Sequence, residues 1–275
     1  MIALTLALFG RSYGTHSLIA TITDPRVNES SGIAPSRQQV GCYYTHNDSG
    51  DTARFFRIKL DGSIQGEWSL NGVTATDWED IATARAKGKN WVFLGDIGDN
   101  PSNRANIKIY RLEEPTGNGG VLSTFSTFTL TYPDGPHNCE TLMVDPQTLD
   151  IYLVTKVSSG PSAVYRLPYK ASGGTYVMTK LGEVNFDTGI PFSALTTGGD
   201  FSPDRNYAVV RTYSAAYEFK LKRGDVTNWF SQPRTRVELR LEPQGEAICY
   251  SKDGRKLITT SEGSPCEISA LTITP

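Results

Sequence analysis

Short hydrophobic and β-branched segments recur along the chain, each bounded by glycine, proline, aspartate or asparagine. Segments with this length and these boundaries are typical of β-strands. In five of them, small or acidic residues precede a hydrophobic position: residues 31–34, 79–82, 140–143, 199–202 and 246–249. From Ile33 to Ile81, Leu142, Phe201 and Ile248 the intervals are 48, 61, 59 and 47 residues. A repeat of this period predicts a propeller or a solenoid.

Each copy continues as a series of strands separated by polar turns. Second strands are predicted at residues 42–45, 91–94, 151–155, 207–210 and 257–260. Third strands are predicted at residues 55–60, 107–112, 163–167, 216–221 and 268–273. Fourth strands follow in the first four copies only, at residues 63–70, 126–132, 176–184 and 236–241. The fifth copy therefore lacks one strand.

A hydrophobic segment before the first copy, residues 18–23, can supply the missing strand. Pairing it with residues 268–273 would complete the fifth copy and leave no open sheet edge between the termini. The sequence therefore predicts an all-β fold, a five-bladed β-propeller with an N-terminal strand closing the last blade. A pair of β-sandwiches is the alternative. We expect residues 17–275 to form a single propeller domain, preceded by a signal remnant or flexible N-terminus at residues 1–16.

Composition and charge agree with this fold and narrow the function. The chain has 26 glycines and 15 prolines, which suit short strands and tight turns better than a helical bundle. With 27 basic and 29 acidic residues, it lacks the positive field that nonspecific binding to nucleic acid or an anionic membrane requires. Residues 2–9 are hydrophobic but too short for a membrane span, and they favour a secreted or extracytoplasmic protein.

Four cysteines lack the close spacing of a zinc site. They are compatible with two disulfides or with buried thiols: Cys42, Cys139, Cys249 and Cys266.

Three glutamates occupy equivalent positions in the repeat, two residues before the hydrophobic position. In a propeller the first strand of each blade lines the central channel, so Glu79, Glu140 and Glu246 should converge there. Mutual repulsion in a narrow channel should raise at least one pKa, as in a general acid and base pair. We predict Glu246 and Glu140 as that pair, with Glu79 or Asp96 tuning them. The alternative is a structural role, in which they accept backbone hydrogen bonds or form ion pairs.

Further polar residues are predicted near the same end of the channel. The ends of the second strands carry five different residues: His46, Asp96, Lys156, Arg211 and Glu262. Together with His137 and Tyr213 they are candidate substrate-binding residues, and Lys156 and Arg211 could hold an anionic group. The alternatives are a hydrogen-bonded loop for each histidine and packing for the tyrosine.

Two loops rich in Asp, Asn and Gly follow second strands, at residues 45–51 and 95–100. Oxygen ligands of this kind suit calcium, so Asp48, Asp96 and Asp99 are candidate metal ligands. The spacing does not match an EF-hand, and the same residues are common in ordinary turns. The sequence also contains no nucleophile elbow, Walker A loop or His-Glu-Xaa-Xaa-His motif.

Several motifs resemble those of a family of uncharacterised, mostly secreted propeller proteins that carry general labels such as esterase-like or WD40-like. The resemblance extends from about Leu18 onward. It rests on residues 29–33, 45–50, 77–81, 95–100, 132–135, 138–140, 197–200 and 244–248. It implies a propeller with a site at one rim, and it transfers no catalytic role.

These observations leave three functional hypotheses. The first is a secreted carbohydrate-active hydrolase with a carboxylate-lined site on the propeller axis, acting on an acidic glycan. The second is a metal-dependent phosphoester hydrolase or a uronate lyase, with His46, His137 or Tyr213 as the lyase base. The third is a non-catalytic propeller that binds a sugar or a protein. Different residues at the five rim positions favour one central site over repeated peripheral ones. The oligomeric state is open at this stage.

Overall fold

The computed structural model describes residues 11–274, so the hydrophobic segment at residues 2–9 lies outside the described residues. Twenty-three β-strands and one short 3-10 helix (Trp229–Ser231) make up the secondary structure of the described part. No helix within it has the length and hydrophobicity to cross a bilayer. The strands form five mainly antiparallel sheets arranged as the blades of a propeller.

The first three blades follow one another along the chain. Blade 1 contains β3 (Ser30–Pro35), β4 (Cys42–Asn47), β5 (Arg54–Lys59) and β6 (Ile64–Leu70). Blade 2 contains β7 (Trp78–Ala86), β8 (Lys89–Asp96), β9 (Ile107–Glu113) and β11 (Ser126–Thr131). Blade 3 contains β12 (Cys139–Val144), β13 (Ile151–Thr155), β14 (Pro161–Leu167) and β16 (Thr179–Asn185).

The last two blades complete the ring. Blade 4 contains β17 (Thr196–Phe201), β18 (Tyr207–Thr212), β19 (Ala216–Lys220) and β20 (Arg234–Val237). Blade 5 contains β21 (Gly245–Tyr250), β22 (Lys256–Ser261) and β23 (Cys266–Thr274), together with β1 (Ser12–Tyr13) and β2 (Ser17–Ile22) from the start of the chain. The five-bladed prediction and its N-terminal closing strand are confirmed.

Closure of blade 5 uses both N-terminal strands along a single partner. β2 pairs antiparallel with β23 from Ser17 opposite Ala270 to Ile22 opposite Cys266. β1 continues along the same strand, with Ser12 opposite Thr274. The outer edge of β23 is thereby covered over its whole length, which removes a free edge that could pair with another chain.

Two short strands link neighbouring blades. β10 (Gly119–Leu122), from the connection within blade 2, pairs in parallel with β6 of blade 1. β15 (Gly174–Val177), from the connection within blade 3, pairs in parallel with β11 of blade 2. The strand predicted at residues 176–184 is therefore two strands in different blades. A strand pattern read along the chain does not reveal this division, because both segments are equally rich in β-forming residues.

Five hydrophobic clusters lie in the five interfaces between adjacent blades. Trp68, Trp78 and Trp229 are almost fully buried in them. Burial of a large apolar side chain contributes about 1.5–3 kcal/mol, so blade-to-blade packing is the main source of stability. The four cysteines are buried in strands as free thiols.

Every inner strand, the first of its blade, contains a β-bulge near its N-terminal end. A bulge inserts one unpaired residue and re-aims its side chain. The unpaired residues are Ser31, Glu79, Glu140, Thr197 and Glu246. In blade 4 the predicted register is therefore wrong by two residues, because Gly199 rather than Phe201 occupies the position equivalent to Ile33. With this correction the intervals become 48, 61, 57 and 49 residues, which is a more even repeat.

Candidate functional site

The bulges and the strand ends beside them form concentric rings at one end of the channel. The bulge ring consists of Ser31, Glu79, Glu140, Thr197 and Glu246. In each blade, one residue of the second strand pairs with the residue just before the bulge; we call it the bulge-pairing position. The rim ring consists of the residues that follow these positions: Asp48, Ile97, Lys156, Tyr213 and Glu262. Each rim residue donates its backbone N–H, over 2.9–3.3 Å, to the carbonyl two residues before a bulge: Glu29, Asp77, Asn138, Leu195 and Gln244. The same backbone bond in all five blades fixes the two rings against each other.

Six carboxylates and one ammonium group meet at this end of the channel, which we call the acidic mouth: Asp48, Asp77, Glu79, Glu140, Glu246 and Glu262, with Lys156. The three glutamates of the bulge ring are 3–5% exposed. Carboxylates buried this closely repel one another, which favours protons or a cation in the mouth.

The pKa values of the mouth reflect this crowding. Burial, opposed by Lys156 and reinforced by Glu246, raises the pKa of Glu140 to about 8. Burial and then Glu246 raise the pKa of Glu262 to about 7. Burial also raises the pKa of Glu246, against the effect of Lys156 and Tyr213. Burial, Glu140 and Asp48 raise the pKa of Glu79 well above its usual range.

A hydrogen-bonded chain crosses the mouth from blade 3 to blade 5. The Lys156 ammonium contacts the Glu140 carboxylate and lies 3.0 Å from the Tyr213 hydroxyl. Tyr213 in turn donates to Oε1 of Glu246 over 2.7 Å. The second oxygen of Glu246, Oε2, is buried and has no hydrogen-bond partner within residues 11–274. One oxygen of this glutamate is therefore fixed while the other can receive a ligand or a proton.

Two hydroxyls in the bulge ring hold the neighbouring glutamates in place. Ser31 donates to the backbone carbonyl of Glu79, and Thr197 donates to that of Glu246, each over 2.7 Å. These bonds position the backbone of two acidic residues without neutralising either side chain.

A second cluster in the mouth has the arrangement of a cation site. Carboxylate oxygens of Asp48, Asp77 and Glu79 all lie within 4.8 Å of one another. Two oxygens on one calcium ion, each at about 2.4 Å, are at most about 4.8 Å apart. Gly98 borders the cluster, and a methyl group there would overlap Oδ2 of Asp77 and Oε1 of Glu79. The missing side chain leaves room beside the carboxylates, so this donor set fits a hard divalent cation.

The structure brings together seven of the residues singled out from the sequence: Asp48, Glu79, Glu140, Lys156, Tyr213, Glu246 and Glu262. It places His46 and Arg211 elsewhere. His46 is fully buried against Trp78, with Nδ1 bonded to the carbonyl of Asn47. Arg211 is buried in an ion pair with Glu242 and donates to the carbonyl of Ala247. Both residues lie one position before the bulge-pairing site, where side chains point between blades.

Three other candidates also lie outside the mouth's cluster of acids. His137 is partly exposed in the connection between β11 and β12, 3.1 Å from Asp134, with its ring against Tyr132 and Tyr165. Asp96 pairs with Arg104 over 2.8 Å, and Asp99 accepts the backbone N–H groups of Asn103 and Arg104. These carboxylates shape the loop after β8, and Asp48 is the one predicted metal candidate that joins the cluster.

Two functional residues were not found from the sequence. Asp77 and Gly98 complete the carboxylate cluster with Asp48 and Glu79. Asp77 lies two residues before Glu79, a spacing that points both side chains to one face of an extended strand. That signal was present, but the backbone hydrogen bond from Gly98 to the carbonyl of Asp77, which holds the loop against these residues over 3.1 Å, has no sequence marker.

Comparisons with known proteins support the fold. The chain matches no protein-family model and no curated protein. Its fold is similar to the solved structure of a gluconolactonase from Xanthomonas campestris, with a TM-score of 0.50 and 13% sequence identity. The similarity covers 89% of this chain and 72% of that one. At this identity it concerns the fold alone. Together the fold and the site define a β-propeller with an acidic axial site.

Proposed function

We propose that the protein is a cation-assisted hydrolase of small neutral carbohydrate esters, with sugar lactones as the substrate class. One observation carries the proposal. The cluster of Asp48, Asp77 and Glu79 lies at the same channel mouth as the hydrogen-bonded chain from Glu140 to Glu246. Oε2 of Glu246 has no hydrogen-bond partner in the described part of the protein. A cation site beside a buried carboxylate supplies the Lewis acid and the general base of metal-assisted carbonyl hydrolysis.

Charge in the mouth argues for a neutral substrate. Lys156 is already bound to Glu140, and Arg211 is buried with Glu242. Neither cation is free to hold a phosphate or a uronate, and the remaining groups are carboxylates. We therefore replace the acidic glycan expected from the sequence by a neutral sugar derivative. The gluconolactonase of similar fold points to the same class.

Asp48, Asp77 and Glu79 would hold a hard cation such as calcium. When bound, the cation would polarise the substrate carbonyl and stabilise the oxyanion that forms on it. Gly98 keeps the space beside these carboxylates open. A groove of about 440 Å³ borders Tyr213, and its apolar walls, Pro191, Phe192, Leu241 and Pro243, can cover the carbon face of a sugar.

Glu246 is the general base of this mechanism. Its Oε2 accepts a proton from water as the water oxygen adds to the carbonyl carbon. When the carbon–oxygen bond to the leaving oxygen breaks, the same proton returns to that oxygen. One water is consumed and a hydroxy acid is released. Tyr213 donates to Oε1 of Glu246 and is itself held by Lys156, and both residues favour the ionised form of Glu246.

The test is hydrolysis of a panel of sugar lactones and acyl sugars. The rate of acid release is measured and compared with the spontaneous rate. The protein is first treated with chelator and then supplied with calcium, magnesium, manganese or zinc. We expect activity with added cation, and a loss of about 10²–10⁴-fold in kcat for Glu246→Gln.

Glu113→Gln is the matched control, since Glu113 is exposed and pairs with Lys89 far from the mouth. Wild-type kcat in Glu246→Gln, or activity that chelator and added cations leave unchanged, would contradict the proposal.

A second candidate is a glycoside hydrolase that uses Glu140 and Glu246. The supporting observation is the pKa of Glu140, raised to about 8 by burial, with Glu246 adding to the rise. Two interacting carboxyls, one protonated and one ionised, suit the acid and base of glycoside cleavage. Cleavage of aryl glycosides that survives chelator would favour this candidate over the lactonase.

A further inference from the structure

The repeat also brings five equivalent residues together at the other end of the inner strands. Four positions after Ile33 and its equivalents Ile81, Leu142, Gly199 and Ile248, the chain carries Arg37, Arg85, Pro146, Pro203 and Lys252. These five residues line one cavity of about 200 Å³. Because each blade contributes one residue, the cavity lies on the propeller axis, at the end opposite the acidic mouth. We call it the basic pole.

The charge of the basic pole is unbalanced. Three of its five residues are cationic, and none is a carboxylate. Within residues 11–274, Arg37, Arg85 and Lys252 form no ion pair within 4.0 Å, whereas nearby Arg205 is paired with Asp145. The sequence pattern did not single out this end of the channel, because the correct register in blade 4 was needed to align the five positions.

Arg37 is held in place as a binding group would be. It is 8% exposed, and its Nε and Nη2 donate to the side chain and carbonyl of Thr83 over 3.0 and 2.9 Å. Lys252 donates to the carbonyl of Arg37 over 2.7 Å. Both contacts use neutral acceptors, so they fix the positions of the two cations and leave their charge uncompensated.

Two buried carboxylates lie near Arg37. Glu114 accepts the backbone N–H of Arg37 over 3.1 Å and contacts the Ser36 hydroxyl, so it binds the main chain. Asp200 accepts the backbone N–H of Tyr250 over 3.0 Å. Burial raises its pKa to about 6, against the effect of Arg37. Asp200 is buried and does not line the cavity. It therefore leaves the outward side of the basic pole cationic.

We propose that the basic pole binds a small oxyanion, a phosphate, sulfate or carboxylate group. Guanidinium groups match such anions with paired N–H donors, and Lys252 adds a point charge. The cavity has room for one such group and a few waters, and not for a drug-sized ligand. Two prolines, Pro146 and Pro203, complete a wall that cannot rearrange easily. This site is independent of the proposed hydrolase activity.

Calorimetric titration with inorganic phosphate at low ionic strength tests the proposal on the full chain. We expect saturable binding of one phosphate per chain, displaced by sulfate. In the double variant Arg85→Ala/Lys252→Ala, loss of two charged donors should weaken binding by about tenfold or more. Both residues are exposed, so the variant should fold, and its circular dichroism and melting temperature check this.

Lys220→Ala is the control, since Lys220 is exposed and lies on β19, away from the basic pole. It should bind phosphate like the wild type. Displacement by acetate as well as sulfate would assign a carboxylate ligand, whereas displacement by sulfate alone would assign a tetrahedral one. Absence of saturable phosphate binding, or equal affinity in the double variant and the control, would overturn the proposal.

Discussion

Gly98 shows how one missing side chain can open a binding site. Its backbone lies against Asp77 and Glu79, and any Cβ atom would occupy the space next to their oxygens. Gly98 is not one of the glycines with positive φ, so alanine is compatible with its backbone. The site therefore depends on the size of this residue and not on its conformational freedom.

We expect Gly98→Ala to weaken calcium binding by about tenfold or more, because the methyl group displaces two ligating carboxylates. Folding should be little affected. Calorimetric titration with calcium measures the affinity. Gly14→Ala is a suitable control, because a Cβ at Gly14 makes ordinary contacts with Thr272. Equal calcium affinity in the two variants would show that the cluster is not the cation site.

Tyr213 and Lys156 should act on the acidity of Glu246. The tyrosine hydroxyl donates to Glu246, which favours the ionised carboxylate and lowers the pKa of Glu246 against the effect of burial. In Tyr213→Phe this bond is lost, so the pKa of Glu246 should rise.

Because the base must be ionised, the rising limb of the pH–rate profile of Tyr213→Phe should move to higher pH, and kcat at neutral pH should fall. If Tyr213 had a purely structural role, its loss would lower activity without shifting the rising limb of the pH–rate profile. Profiles of kcat/KM against pH for the wild type and the variant distinguish the two roles.

Sequence spacing correctly placed the acidic residues at the channel mouth, but it misplaced two of the basic residues predicted beside them. Equivalent positions in the repeat brought out Glu79, Glu140 and Glu246, because strand alternation repeats from blade to blade. His46 and Arg211 were placed in the same ring as Lys156, although the residues equivalent to Lys156 are Asp48 and Tyr213, two positions further along the chain. His46 and Arg211 still lie within β4 and β18, where their side chains are buried between blades, whereas Lys156 follows the last residue of β13.

Bulges are the elements that separate the predicted register from the observed one. Each adds an unpaired residue without any fixed sequence signal. In blade 4 the hydrophobic position is taken by Gly199, so hydrophobicity alone moved the alignment to Phe201. A Cβ there would lie 2.8 Å from the carbonyl oxygen of Val209 on β18 and 3.0 Å from the Thr141 side chain on β12. Close packing against these two strands, and not local propensity, therefore determines this position.

The closing strand β2 provides a direct test of ring closure. Ile22 is fully buried against blade 1, whereas Leu18 on the same strand is 46% exposed. We expect Ile22→Ala to lower the free energy of unfolding by about 2–5 kcal/mol. Leu18→Ala should lower it by less than about 1 kcal/mol. Chemical denaturation of both variants gives the comparison, and equal small losses would mean that β2 contributes little to stability.

At the scale of the whole molecule, buried acids should make stability depend on pH. The pKa values of Glu140 and Glu262 are raised to about 8 and about 7 in the folded protein, mainly by burial. The native state then binds more protons than the unfolded chain, so stability falls as pH rises from about 4.5 through about 8. Groups such as Glu242, whose pKa is lowered, stabilise the folded protein when ionised, and this contribution is lost only at more acidic pH.

We therefore expect the melting temperature without divalent cations to decrease from pH 5 to pH 8. Glu140→Gln should flatten this decrease, because the amide keeps the shape of the side chain without its charge. Thermal denaturation across this pH range measures both effects. A melting temperature that is constant or rises over this pH range would show that the buried glutamates of the acidic mouth do not have raised pKa values in the folded protein.

The overall architecture could be predicted because it follows from repetition. Five copies of one strand pattern, with a fourth strand missing at one end and a spare strand at the other, define a closed ring. The two short strands that link neighbouring blades, β10 and β15, could not be predicted in the same way. Their partners lie in a preceding blade, and parallel pairing of short connections leaves no periodic signal in the sequence.

Blade 5 draws strands from both ends of the chain, and this affects how the protein is made. During translation, residues 17–22 leave the ribosome well before their partner Cys266–Thr274. Blades 1 to 4 can assemble on the ribosome, while the ring itself closes only after β23 has emerged. Any chain that terminates early, within the last blade, keeps two unpaired strand edges and is exposed to quality-control proteases and to aggregation.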